Sequence, residues 1–163
     1  PRTDLAAVVS RVEQRERVFA RRRRVRLQEA APPAPCWVRG EPTMVEQALT
    51  NVVQNAVAYN DEGGRVRISL ALDGGRFELS VEDDGPGVPP PELPRLGDRT
   101  FRADSARRRD PKGSGLGLAI TREVCERSGW TLRFRRREPR GLAVHIDGAV
   151  MPAPRPARPS TPP

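Results

Sequence analysis

Histidine occurs once in the 163 residues, at His145, and cysteine twice, at Cys36 and Cys125. One histidine cannot build a zinc site, and the two cysteines form no metal-binding spacing. Metal-hydrolase and Ser-His-Asp readings are therefore poor from the start. Aromatic side chains make up 4% of the chain, so no base-stacking platform for nucleic acid is visible. No apolar run approaches the roughly 20 residues of a membrane span, and no apolar stretch follows the basic N-terminal residues as it would in a signal peptide. The cysteines fall in core-like positions and suit free thiols in a reducing cytoplasm.

Charge is abundant. The net charge is +8 and the pI about 11.1, carried by 28 arginines and a single lysine, Lys112. Such a balance suggests an anionic partner. Taken by segment it breaks up: residues 41–94 sum to −7, residues 95–113 to +4, and the flanks are arginine-rich. A uniform polyanion-binding surface does not fit an acidic middle. The run Arg21 to Arg24 reads as a solvated helix end.

The hydrophobic pattern divides the chain into elements. Leu5, Val8, Val9 and Val12 recur at helical spacing behind an Asp4 N-cap. Val25 and Leu27 suggest a strand, and Cys36–Val38 a second short one. Glu41-Pro42 opens a long helix to about Asn60, with Val45, Leu49, Val52, Ala56 and Tyr59 as its stripe. Two alternating runs around Asp73-Gly74-Gly75 predict a hairpin. Residues 97–112 read as a mobile surface segment. A glycine-opened helix runs to about Ser128 and stops at Gly129. Two further strands follow, at Thr131–Arg135 and Leu142–Ile146. The order predicts an α/β two-layer arrangement with a mostly antiparallel sheet. The tail from Pro152 to Pro163 holds six of the 18 prolines and no large apolar residue, and is expected to be disordered.

Four short stretches carry chemistry. Asn51 and Asn55 share one helix face, where carboxamides need partners or a hard cation such as Mg²⁺. Asp83-Asp84-Gly85-Pro86-Gly87 places a carboxylate at a strand end, followed by a turn that a ligand can approach closely. Gly113-Ser114-Gly115-Leu116-Gly117-Leu118 opens a helix as phosphate-binding turns do, without the lysine ending of a Walker A loop. Arg102, Arg107, Arg108, Arg109 and Lys112 precede it and suit phosphate oxygens.

In this order the stretches resemble the catalytic ATP-binding domain of bacterial sensor histidine kinases, within the gyrase/Hsp90/histidine kinase/MutL superfamily. Residues about 41–147 carry the resemblance. Gln47 to Ala56 is similar to the family's N box, Asp83 to Gly87 to its G1 box, Thr100-Phe101-Arg102-Ala103-Asp104 to its F box, and Gly113 to Leu118 to its G2 box.

The resemblance implies a Bergerat-type α/β sandwich with three main helices and ATP under a lid. Asp83 would recognise the adenine amino group. Asn55 would coordinate Mg²⁺, with Asn51 supporting the phosphate site. Tyr59 would line the pocket, and Gly85 and Gly87 would let the nucleotide approach. Arg102 would contact the γ-phosphate. Lys112, Gly113, Ser114, Gly115, Leu116, Gly117 and Leu118 would shape the lid and wrap the triphosphate. Hydrolytic relatives and serine kinases resemble one another in a glutamate at the position of Asn51. An asparagine cannot take a proton, which favours transfer to an already nucleophilic imidazole. Ala58 stands where family members often carry Lys or Arg, so one phosphate contact is missing or comes from the lid.

The acceptor histidine is expected on a partner dimerisation domain, because His145 reads as a solvent-facing strand residue. On this reading residues 1–24 form a linker helix after that domain, residues 25–150 the kinase domain and 151–163 the tail. The implied partners are the dimerisation domain and a response regulator, with no nucleic acid and no membrane contact by this part. The chain itself is expected to be monomeric, in the cytoplasm, and part of a membrane-anchored sensor. The alternatives are a fold-related ATPase or serine kinase, and a non-catalytic basic module binding nucleic acid.

Overall fold

The structure is a computed structural model and describes residues 1–32, 34–98 and 117–159. Strand β1 (Arg2–Asp4) leads into helix α1 (Leu5–Arg22), followed by β2 (Arg26–Ala30), β3 (Trp37–Arg39) and α2 (Pro42–Ala58). Next come β4 (Arg65–Asp73), β5 (Arg76–Asp83), a short 3-10 helix at Pro90–Arg95, α3 (Gly117–Ser128), β6 (Thr131–Arg136) and β7 (Leu142–Ala149).

Five strands form one sheet in the order β2-β4-β5-β7-β6. Only the edge pairing β2 with β4 is parallel within it; the other three are antiparallel. The alternation seen in sequence sorts the two faces. Val66, Ile68, Leu70, Phe77, Leu79, Val81, Val144 and Ile146 are buried on one side. There they join Leu5, Val8, Val9 and Val12 of α1 and Val45, Leu49, Val52 and Val53 of α2 in one core. Each such side chain contributes roughly 1.5–3 kcal/mol of transfer free energy. Phe77 meets Trp130 edge to face at 5.3 Å. The result is the expected two-layer α/β sandwich, with helices on one face of a mixed sheet.

Local chemistry sets the helix ends. Asp4 Oδ1 accepts from the backbone N–H groups of Ala6, Ala7 and Cys36, so one carboxylate caps α1 and ties it to the start of β3. Glu41 caps α2 through Met44 N at 2.9 Å, with Pro42 in the first turn. The β4–β5 hairpin turns at Gly74 and Gly75, which both have positive φ (56° and 76°). The Arg21 to Arg24 run is used structurally: Arg23 donates to the Ala58 carbonyl at 2.6 Å, and Arg24 pairs with Glu62.

Helix α1 shares one core with α2 and the sheet. The stripe of Leu5, Val8, Val9 and Val12 is too apolar to leave in water, and all four are fully buried. His145 does not face solvent freely; its side chain is 16% exposed. It stands opposite Arg133 and Ser80 on the open face of the sheet, with Nδ1 3.3 Å from Glu78 Oε1, so that the long side chains of Arg133 and Glu78 flank it. Pro152 to Pro159 are without regular structure, and Arg2 donates to the Pro152 carbonyl at 2.9 Å.

Candidate nucleotide site

Asn51, Asn55 and Tyr59 lie one turn apart on α2, Tyr59 at its C-cap. The face they share is not the one that α1 covers, which bonds through Thr50, Gln54 and Ala58. The two asparagines differ in their commitments. Asn51 Oδ1 accepts from Gln47 Nε2 at 2.9 Å, and its Nδ2 donates to the carbonyl of Gly117 at 3.2 Å. It thereby fastens the first residue of α3 to α2. Thr121 adds a second tie, donating from Oγ1 to Ala48 O at 3.1 Å. Among the described residues nothing bonds to the Asn55 side chain, so its carboxamide oxygen remains available to a hard cation.

Asp83 closes β5 and is buried. Its Oδ1 accepts from Gly85 N at 2.9 Å and from Leu142 N at 3.3 Å. No hydrogen bond engages Oδ2 among the described residues. Burial pushes the carboxyl up to about 6, with Asp84 adding to the rise and the Gly85 and Leu142 N–H groups and Arg137 opposing it. Its neighbour behaves in the opposite way. Burial also pushes Asp84 up, but the Arg65 N–H at 2.7 Å, the Asn60 amide and Arg137 outweigh it, and the group falls below its ordinary value. Two adjacent carboxyls are thus driven apart, one fixed as an anion and one poised.

Asn60 connects the two sides of the site. Its Nδ2 donates to Arg65 O and to Asp84 Oδ1, which holds the end of α2 against the Asp83 loop. Tyr59 and Asp83 are brought to the same region by this link. Gly85 and Gly87 follow in the loop. A Cβ at Gly87 (φ 73°) would stand 3.1 Å from Gly141 O, so the loop and the β6–β7 turn meet backbone to backbone.

Leu118 sits in the first turn of α3 and packs against the core. Gly117 is the first residue of that helix. The remaining expected residues, Arg102, Lys112, Gly113, Ser114, Gly115 and Leu116, lie outside the described residues, as does the stretch Thr100 to Asp104.

A family model described as histidine kinase-, DNA gyrase B- and HSP90-like ATPase matches residues 40–149, about two thirds of the chain. The chain belongs to this ATPase family. It is 38% identical over 130 residues to the sensor-like histidine kinase SenX3 of Mycobacterium tuberculosis, covering 80% of this chain and 32% of SenX3. It is 39% identical over 141 residues to the signal transduction histidine-protein kinase/phosphatase MprB of Mycolicibacterium vanbaalenii, covering 86% of this chain and 28% of MprB. The chain therefore spans about a third of the length of these curated relatives. The solved structure of a mycobacterial sensor histidine kinase MprB superposes with a TM-score of 0.80 at 35% identity, covering 94% of this chain and all of that one. The catalytic domain of histidine kinase ThkA gives 0.78 at 22% identity over 91% of this chain and 94% of that one, a likeness of fold alone.

Within this ATPase family fold, sequence reasoning missed the residues that build the outer wall of the Asp83 loop: Arg137, Arg140 and Gly141. Arg137 Nη1 donates to Asp83 O at 2.8 Å and Arg140 Nε to Gly85 O at 2.9 Å. The glycine between a charged turn and an alternating strand was the available signal, since φ at Gly141 is 115°.

Proposed function

We propose that this chain binds Mg·ATP and passes the γ-phosphate to a histidine on a partner dimerisation domain, as the catalytic domain of a two-component sensor histidine kinase. The observation that carries the reading is Asp83: a buried carboxyl with one oxygen held by two backbone N–H groups and the other without a hydrogen bond among the described residues. A carboxylate so held suits an exocyclic amine, which is a donor. Family membership and the sensor-kinase relatives support the same reading.

In this reading Asp83 Oδ2 accepts from the adenine amino group, and Tyr59, Gly85 and Gly87 line the base pocket. Asn55 holds Mg²⁺, which supplies charge neutralisation of the phosphates when bound. Asn51 supports the phosphate site by holding the start of α3. Arg102 contacts the transferring phosphate, and Lys112 with Gly113 to Leu118 wraps the triphosphate. Asn51 offers no proton acceptor, so a hydrolytic reading would need its base elsewhere. The response regulator then takes the phosphoryl group from the partner's histidine, in the cytoplasm.

Titration with a fluorescent ATP analogue tests the reading. Asp83→Asn should abolish binding; unchanged affinity would sink the adenine assignment. Arg102→Ala should keep nucleotide binding and lose transfer to an added dimerisation domain. Steady ATP hydrolysis by the chain alone would favour the ATPase alternative.

A further inference from the structure

Asp83 ends β5, and apart from Gly85 N the groups that fix it come from much later in the chain. The turn between β6 and β7 folds back over the loop. Arg137 reaches Asp83 O from a sequence separation of 54, Arg140 reaches Gly85 O from 55, and Leu142 N reaches Asp83 Oδ1 from 59. Arg137 N closes the turn on Gly141 O at 2.9 Å. A Cβ at Gly141 would stand 1.9 Å from Asp83 O, so nothing but glycine lets the turn come this near. Arg140 also spans outward, its Nη2 donating to Asp61 Oδ2 at 2.6 Å. One guanidinium thus joins the Asp83 loop to the segment that follows α2.

We infer that Arg137 and Arg140 are positioning residues for base recognition: together they hold the Asp83–Gly85 backbone so that the Asp83 carboxyl offers Oδ2 to a 6-aminopurine. The inference rests on the reading of Asp83 as the adenine acceptor. Neither arginine is assigned a contact with nucleotide. Both donate to backbone carbonyls, where charge-assisted bonds fix geometry and not merely charge balance. With Oδ1 filled by two N–H groups, the carboxyl has one oxygen and one direction left. A 6-aminopurine presents a donor there. A 6-oxopurine presents an acceptor, and two acceptors facing each other in a dry site repel.

The charged neighbours make a readout that simple packing would not give. Among the described residues Asp84 and Arg137 are the charged groups acting on Asp83, with opposite signs. Arg140 and Asp61 pair on the outer side of the loop, and Glu82 lies 3.7 Å from Arg137 Nε. Removing Arg137 removes the one charge among the described residues that favours the Asp83 anion.

The test uses the whole chain. ATP and inosine triphosphate compete against a fluorescent ATP analogue from pH 5 to pH 8, with wild type, Arg137→Ala, Arg140→Ala and Arg140→Lys. Each alanine variant should weaken ATP by roughly tenfold and inosine triphosphate much less, collapsing the preference between them. Arg140→Lys keeps the charge without the fork and should fall between. Arg137→Ala should also move the pH midpoint of ATP binding above that of wild type. Equal losses for both nucleotides, or an unchanged preference, would overturn the inference while leaving the nucleotide reading intact. A wild-type chain that binds neither nucleotide would overturn the reading itself. If a turn variant fails to fold, Asp61→Asn removes the anion that pairs with Arg140 on the outer side of the loop. It should cost ATP a preference of about two- to threefold, and no change there counts against the proposal.

Discussion

Asn51 and Gly117 are joined by a single hydrogen bond, from the Asn51 carboxamide to the Gly117 carbonyl oxygen at 3.2 Å. It binds the middle of α2 to the first residue of α3. Asn51→Ala should leave the core intact and loosen the start of α3, a cost of about 1 kcal/mol confined to that turn. Hydrogen exchange at residues 117–121 reads it directly. Faster exchange throughout α2 and the sheet would show that the bond stabilises the whole fold instead.

Asp83 connects binding with stability. Burial holds its pKa at about 6 against an ordinary 3.8, so the folded state prefers the protonated form. The sign follows from proton uptake. Between pH 3.8 and 6 the folded chain binds more protons than the unfolded one, and stability falls as pH rises through that window. Above it the ionised carboxyl costs up to about 3 kcal/mol. Asp83→Asn keeps the Oδ1 acceptor and drops the charge. It should raise thermal stability at pH 7.5 and bring no gain at pH 4, while losing ATP. A variant less stable than wild type at pH 7.5 would contradict this.

Glu13 is 1% exposed on α1, and Arg17 Nε pairs with its Oε1 from one turn on. Glu13 Oε2 has no hydrogen-bond partner among the described residues. Removing the cation leaves a buried anion without compensation, so Arg17→Ala should destabilise by about 2 kcal/mol. The arginine is half exposed, which keeps the value below that of a fully buried pair. Adding Glu13→Gln should recover most of the loss in a chemical denaturation series. If the double variant is no better than the single, charge is not the cause.

Both thiols should be inert. Burial pushes Cys36 up to about 11, with Asp4 adding to it. Burial pushes Cys125 up to about 12, with Arg122 opposing and Glu126 adding. The nucleophile is the thiolate, and neither group forms it near neutral pH. A thiol reagent at pH 7.5 should modify the native chain only at the rate of unfolding. Rapid labelling of either residue would mean local opening.

Much of this architecture was legible from the sequence because each signal was local. The stripe of α2, the Asp4 cap, the Gly74-Gly75 turn and the placing of Asp83 at a strand end all depend on residues a few positions apart. What escaped depends on partners far away in sequence. Strand β1 is three residues long and exists only by pairing with β3. Arg137 and Arg140 look like more of a basic flank until the turn is seen lying on Asp83. His145 alternates as a surface residue should, and only its cross-strand neighbours Glu78 and Arg133 cover it. Gly113, Gly115 and Arg102 were legible as motifs and lie outside the described residues, whereas Gly117 of the same motif opens α3.

The two ends of the segment 99–116 are pinned from outside it. Arg122 Nη2 donates to Leu96 O at 2.7 Å on one side, and Asn51 holds Gly117 on the other. The pairings of β5 with β7 and of β7 with β6 are made by residues on either side of the segment. The scaffold therefore sets the places where this segment leaves and rejoins it, through residues that belong to α2 and α3.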